Sequence, residues 1–127
     1  MTTTAHKVGH NFLPGWEENI LIAGMMGLVT EYQDGVFKAW VVSEAFKSAD
    51  NWFPCPDYSE RSGAALDALA GQETVVTTVV SSDGVRCMFQ HKGKTHETVP
   101  FAHASHAQAA VLKFVLLQGH SDKSRLT

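Results

Sequence analysis

Thr74-Val75-Val76-Thr77-Thr78-Val79-Val80-Ser81-Ser82-Asp83-Gly84-Val85-Arg86-Cys87-Met88-Phe89-Gln90-His91-Lys92-Gly93-Lys94-Thr95-His96-Glu97-Thr98-Val99 is the stretch that decides the fold. The first strand it predicts, from Glu73 to Ser81, is almost wholly valine and threonine, the β-branched residues that suit a pleated, half-buried surface. Ser82-Asp83-Gly84 then carries turn chemistry, and Val85 to His91 reads as a second strand. Lys92-Gly93-Lys94 turns the chain again into a third, Thr95 to Val99. Three strands joined by two tight turns predict an antiparallel meander, and a meander needs something to cover its apolar face.

Helices flank it in the sequence. Downstream, Ser105 stands as an N-cap before a helix with Ala107, Ala110, Val111, Phe114 and Leu117 on one face, ended by Gly119. Upstream, Ser59 stands as an N-cap before Glu60-Arg61-Ser62, leading a helix that places Ala65, Leu66 and Leu69 together and stops at Gly71. Further back, the two prolines of Asn51 to Asp57 rule out a regular element there and predict a shaped loop. Asp34-Gly35 signals a turn, and Val36 to Ser43 reads as a strand holding Trp40. After the Pro14-Gly15 turn, Trp16 opens a helix with Ile20, Leu21, Gly24, Met25 and Leu28 at helical spacing, and Glu17 and Glu18 suit the positive end of its dipole. The predicted order is helix, strand, helix, three strands, helix: an α+β fold in which helices cover an antiparallel sheet, an α/β/α sandwich.

The chain's 127 residues are one domain's worth of sequence, with residues 1–14 and 120–127 read as polar, flexible ends. With 44% hydrophobic and 18% charged residues the composition is that of a globular chain. No run reaches the roughly 20 apolar residues of a membrane span, since Ile20 to Val29 is short and Lys113 interrupts Ala107 to Leu117. The N-terminus lacks the charged-then-apolar order of a secretory signal, and two cysteines, Cys55 and Cys87, are too few for a disulfide framework. An intracellular chain with reduced thiols is expected, although one Cys55–Cys87 bridge fits the count.

A formal charge of −3 argues against nucleic acid as an obligatory partner. The charge is uneven: residues 1–63 carry 4 Lys/Arg against 8 Asp/Glu, whereas residues 64–127 carry 6 against 5. An anion therefore belongs with the second half. The hairpin residues Arg86, Phe89, His91, Lys92 and Lys94 offer an aromatic ring beside cationic groups, the combination that stacks a base and neutralises phosphate. Strand alternation divides them, because Cys87, Phe89 and His91 share one face and Arg86, Met88 and Gln90 the other. Arg61, close to the expected helix start at Ser59, is a further phosphate contact. Trp16, Trp40 and Trp52 are large buriable groups: Trp40, in its strand, reads as core, and Trp52, in the proline-bearing loop, as an interface anchor, with a stacking ring as the alternative.

Other chemistry is poorly signalled. His103 and His106 lie three apart at a helix start, with His91 and His96 nearby, yet no His-Glu-x-x-His or Cys-x-x-Cys pattern accompanies them, so no metal and no cofactor is expected. Neither cysteine sits in a nucleophile signature, and no Walker or G-x-G-x-x-G phosphate loop occurs. The expectation is a binding protein, not an enzyme.

From about Trp16 to Gly119 the order of elements and three short stretches resemble small phage proteins that carry the phage α/β/α sandwich domain. Pro56-Asp57-Tyr58-Ser59-Glu60-Arg61-Ser62-Gly63-Ala64-Ala65-Leu66 is similar to that family's Pro-x-Tyr-Ser turn and following helix with paired alanines. Ala104 to Leu112, with Ala109-Ala110, is similar to its C-terminal helix, and Met26-Gly27 stands where its first helix ends. A subset of the family resembles the type-one Thoeris anti-defence proteins, sponges that sequester cyclic ADP-ribose isomers and, in some members, cyclic oligonucleotides. The resemblance implies a non-enzymatic homo-oligomer in the host bacterial cytoplasm that counters antiviral immunity by sequestering a cyclic nucleotide-type signal. It also implies a ligand held by an aromatic stack, polar side chains and an arginine of the last helix. Here that position is Gln108, which lacks the guanidinium fork that grips phosphate. The alternative is a protein-interaction inhibitor that docks on a host defence or replication protein through the acidic first half and Trp52.

Overall fold

The computed structural model describes residues 6–32, 39–43, 53–61, 63–72 and 74–126. It is a mixed α+β arrangement with two sheets and three helices. In chain order the elements are β1 (His6–Val8), α1 (Trp16–Met25), β2 (Leu28–Tyr32), β3 (Ala39–Ser43), β4 (Phe53–Pro54), α2 (Ala64–Leu69), β5 (Thr74–Ser81), β6 (Gly84–His91), β7 (Lys94–Thr98) and α3 (Ala104–Leu126). The meander is present as read, with β5, β6 and β7 antiparallel neighbours. β1 adds to β7 in parallel, giving the order β1-β7-β6-β5. A separate antiparallel sheet runs β2-β3-β4.

Three strands are thus added to the predicted order, each for a physical reason. β1 has three residues, too few for alternation to register, and it lies within the end expected to be polar and flexible. β4 has two and contains Pro54. β2 follows the first helix so closely that its Leu28 falls on the helical spacing. The expected helix through Leu28 ends at Met25 because Gly27 takes a left-handed φ of +82°, and the Met26 N–H closes the last turn on the Ile22 and Ala23 carbonyls.

Two other helix boundaries differ. Ser59 is not a cap. Its hydroxyl accepts the Gly15 N–H (3.1 Å) and its own N–H goes to Asn19 Oδ1 (3.0 Å), so it ties the Pro-bearing loop to the start of α1. α2 starts five residues later, at Ala64, after Gly63 at φ +84°. Gly119 does not end α3, which continues to Leu126; one mid-helix glycine costs about 1 kcal/mol relative to alanine, within what packing offsets. Trp52 lies outside the described residues, as do Val36 to Lys38 of the expected strand around Trp40.

α3 is the centre of the molecule. Ala107 to Leu112 is buried continuously, because α3 lies on β6, β1 and β7 while α1 and α2 pack on its other sides. Alanines at 107, 109 and 110 allow that close approach. The core joins Val8, Phe12, Ile22, Ala65, Leu69, Cys87, Phe89, Val111, Leu112 and Val115.

Candidate functional site

Direct cross-strand partners share a face, so the register sorts the four-stranded sheet. Towards α3 point Cys87, Phe89 and His91 of β6, His96 and Thr98 of β7, and Val8 of β1, all buried. Away from it point Arg86, Met88 and Gln90, with Glu97 and Thr95 of β7, Lys7 of β1, and Val75, Thr77 and Val79 of β5. The alternation expected for β6 holds, and it places the proposed ligand residues in separate environments.

On the helix side, Phe89 is 1% exposed and stacks on His96 with ring centroids 5.1 Å apart, edge-on to Phe114 at 5.7 Å. It belongs to the core and offers no platform for a base. His91 is also buried, its Nδ1 3.1 Å from the Thr74 hydroxyl. Gln108 donates from Nε2 to the Thr78 hydroxyl (3.4 Å) and is buried between α3 and β5. His96 meets His6 at 5.6 Å and Phe114 at 4.7 Å, ring centre to ring centre. Burial lowers the His96 pKa, and His6, His91 and Lys94 lower it further. His96 thus sits in an apolar pocket in which its charge is disfavoured, with His91 buried on the same face and His6 exposed at the edge. Within it, His91 Nε2 and His96 Nδ1 have no hydrogen-bond partner among the described residues.

The open face holds the ionic group. Arg86 Nη1 lies 2.5 Å from Glu97 Oε1, and Lys7 Nζ lies 3.1 Å from Glu97 Oε2. Two cations therefore share one carboxylate, which leaves a net positive charge on this face. Arg86 Nε is buried with no partner among the described residues, so one guanidinium donor is unspent. Beside this group Met88 is 40% exposed and Val75 68% exposed, an apolar strip next to the charge. Lys7 and Glu97 were not singled out from the sequence. The antiparallel pairing of β7 with β6 brings Glu97 beside Arg86, and the parallel pairing of β1 with β7 sets Lys7 opposite Glu97.

The remaining residues lie elsewhere. Lys92 and Lys94 are exposed at the β6–β7 turn, with Lys92 at φ +53°, and Lys94 sits opposite His91. Arg61 is exposed in the turn before α2, where its N–H bonds to the Asp57 carbonyl (3.0 Å). None of the three joins Arg86 on the open face.

Both thiols are free and buried. Burial, with Asp57 adding to it, pushes the Cys55 pKa up to about 11, and burial raises that of Cys87 as well. Neither is a thiolate at neutral pH. His103 and His106 meet edge to face at 5.0 Å, and His106 Nε2 pairs with Glu60 Oε1 at 3.0 Å. Among the described residues no three His, Cys, Asp or Glu are placed to hold a metal ion, and no helix is long and apolar enough to cross a membrane.

Comparison with known protein families, with curated proteins and with solved structures found no match. The site is accordingly defined by its own geometry: two cations, one carboxylate and exposed apolar side chains on the face of the sheet turned away from α3.

Proposed function

We propose that this chain is a non-enzymatic binding protein that takes an anionic, nucleotide-type ligand on the open face of its four-stranded sheet. The observation that carries the reading is the Lys7–Glu97–Arg86 group. A single carboxylate cannot neutralise both cations, and the Lys7 and Arg86 side chains stay 44% and 30% exposed beside it. A phosphate supplies acceptors for both, and Met88 and Val75 provide apolar surface for a base. Phe89, His91 and Gln108 act in this reading from behind, as the packing that holds β6 flat.

The resemblance to phage α/β/α sandwich proteins extends the proposal. It supports a sandwich-type fold and a homo-oligomer, working in the cytoplasm of a bacterial host. It also supports a ligand of the cyclic nucleotide class, an immune signal withdrawn by sequestration without chemical change. Gln108 in place of the family's arginine moves the phosphate contact, in this chain, to Arg86 and Lys7.

A thermal-shift series with cyclic ADP-ribose isomers and cyclic di- and trinucleotides tests this. A ligand at 100 times its Kd adds about 2.7 kcal/mol of stability. The expected result is a shift with one of these anions, its loss in Arg86→Ala and Lys7→Ala, and recovery of the ligand intact after heating. No shift with any of them, or shifts unaltered in Arg86→Ala, would refute the assignment.

A second reading has its own observation. Leu13 is 78% exposed and Leu21 54% exposed, on the acidic first half beside Glu17. Large exposed apolar side chains beside acid suit a protein partner with a basic rim. If the chain is a protein-interaction inhibitor, it binds a purified host defence or replication protein, and Leu13→Asp with Leu21→Asp abolishes that binding while Arg86→Ala does not.

A further inference from the structure

The two outer strands of the four-stranded sheet differ in a way that matters for association. β1 is three residues long and carries His6 and Lys7. β5 runs for eight residues, Thr74-Val75-Val76-Thr77-Thr78-Val79-Val80-Ser81, with no charge, proline or glycine. An edge of that kind is a template for another strand, and proteins ordinarily blunt it with lysine, proline or brevity.

The register shows which backbone groups the edge offers. Val80 lies opposite Val85. Val85 spends both its backbone groups on Phe101, on the side away from β5: its N–H goes to the Phe101 carbonyl and its carbonyl takes the Phe101 N–H, each at 2.8 Å. Val80 and Val85 are therefore a pair that exchanges no hydrogen bonds, and alternation along an antiparallel ladder repeats this at Thr78 and Val76. The N–H and C=O groups of Val76, Thr78 and Val80 point out from the sheet edge, and no strand among the described residues pairs with them. Val80 is 77% exposed.

We propose that this edge binds a second copy of the chain, antiparallel across a two-fold axis at Thr78, so that two four-stranded sheets join into one. In that register Thr78 faces Thr78 of the second copy and Val76 faces its Val80, each facing pair exchanging two hydrogen bonds. All three outward pairs are used. On the helix side valine meets valine, on the open side Thr77 meets Val79, and no charge faces another across the seam. A strand bearing charge would leave that charge beside uncharged valine and threonine with no counterpart, whereas the chain's own strand matches itself. The surface is isologous, as closed dimers require. A single seam is a small interface, so the dimer forms in a concentration-dependent way. This inference stands on β5 alone and is independent of the ligand.

Sedimentation velocity on the full chain tests it across a concentration series. Wild type moves from the 13.8 kDa monomer towards twice that mass. Val80→Lys stays monomeric at concentrations where wild type is dimeric, with an unchanged circular dichroism spectrum, while Met88→Lys, off the edge, still dimerises. The register has its own probe. Thr77→Cys mixed with Val79→Cys cross-links across unlike chains on mild oxidation, whereas neither alone does, because like positions are diagonal and about 8 Å apart. A wild type that is monomeric up to millimolar concentration, a Val80→Lys that dimerises like wild type, or absence of the unlike-chain cross-link would each overturn the proposal. If Val80→Lys misfolds, the cross-link alone decides.

Discussion

Lys113 interrupts the apolar run from Ala107 to Leu117, and its contacts explain why that position holds a charge. Its ammonium lies 2.8 and 2.9 Å from the two carboxylate oxygens of Glu18, on α1, and 5.8 Å from the centre of the Phe12 ring. The carboxylate is the more buried partner, so removing the lysine leaves the larger penalty. Lys113→Met should cost about 2 kcal/mol by urea denaturation, in the range for hydrogen bonds to charged groups. Lys113→Met combined with Glu18→Met should recover most of that loss, because two apolar groups of similar size replace the buried pair. If the double variant is as unstable as the single, the pair is not what couples the two helices. The same scale applies to Arg86. Glu97→Gln removes its counter-charge without changing shape, and the proposed function expects tighter binding of a nucleotide anion, read as a larger thermal shift than wild type shows.

The junction between the meander and α3 depends on one glycine. Gly84 has φ +128°, and a Cβ there would lie 2.7 Å from the Phe101 carbonyl oxygen, a backbone atom that cannot swing away. Gly84→Ala must therefore either strain the Ser82-Asp83 turn or push Phe101 from the Val85 bridge. The expected loss is about 2 kcal/mol, since a positive φ and a close approach are both violated. Faster amide exchange at Val85 and Phe101 than elsewhere in β6 would localise it; uniform destabilisation would not fit.

Legibility also divides by element. β5, β6 and β7 are readable because valine and threonine runs broken by Asp-Gly and Lys-Gly-Lys leave few alternatives. β1 is not, because its strand character comes from a distant partner, β7, and it takes Lys7 of the site with it. Ser59 has the residue type and position of a cap, yet it serves a tertiary tie to Gly15 and Asn19 that no local pattern announces. Of the site, Arg86 and its face were legible from alternation. The burial of His91 was not, because a strand's pattern shows which residues share a face without showing which face α3 covers, and that of Gln108 was not, because its partner Thr78 lies on β5.

Taken as a whole, the molecule carries a built-in dependence on pH. His6 of β1 and His96 of β7 meet under Phe114 of α3, with Phe89 stacked on His96, and His91 of β6 is buried on the same face opposite Lys94. Burial lowers the His96 pKa most, and His6, His91 and Lys94 around it lower it further. The sign follows directly. A histidine whose folded pKa lies below its unfolded value of 6.5 is held neutral in the native state, while the unfolded chain takes up the proton first. Its contribution to stability is complete above pH 6.5 and is lost as the pH falls from there through the folded pKa. The melting temperature of the wild type should accordingly drop between pH 7 and pH 5. His96→Phe keeps the aromatic stack with Phe89 and Phe114 but cannot titrate, so its melting temperature should fall less over the same interval. Equal slopes for the two proteins would show that His96 does not govern acid stability.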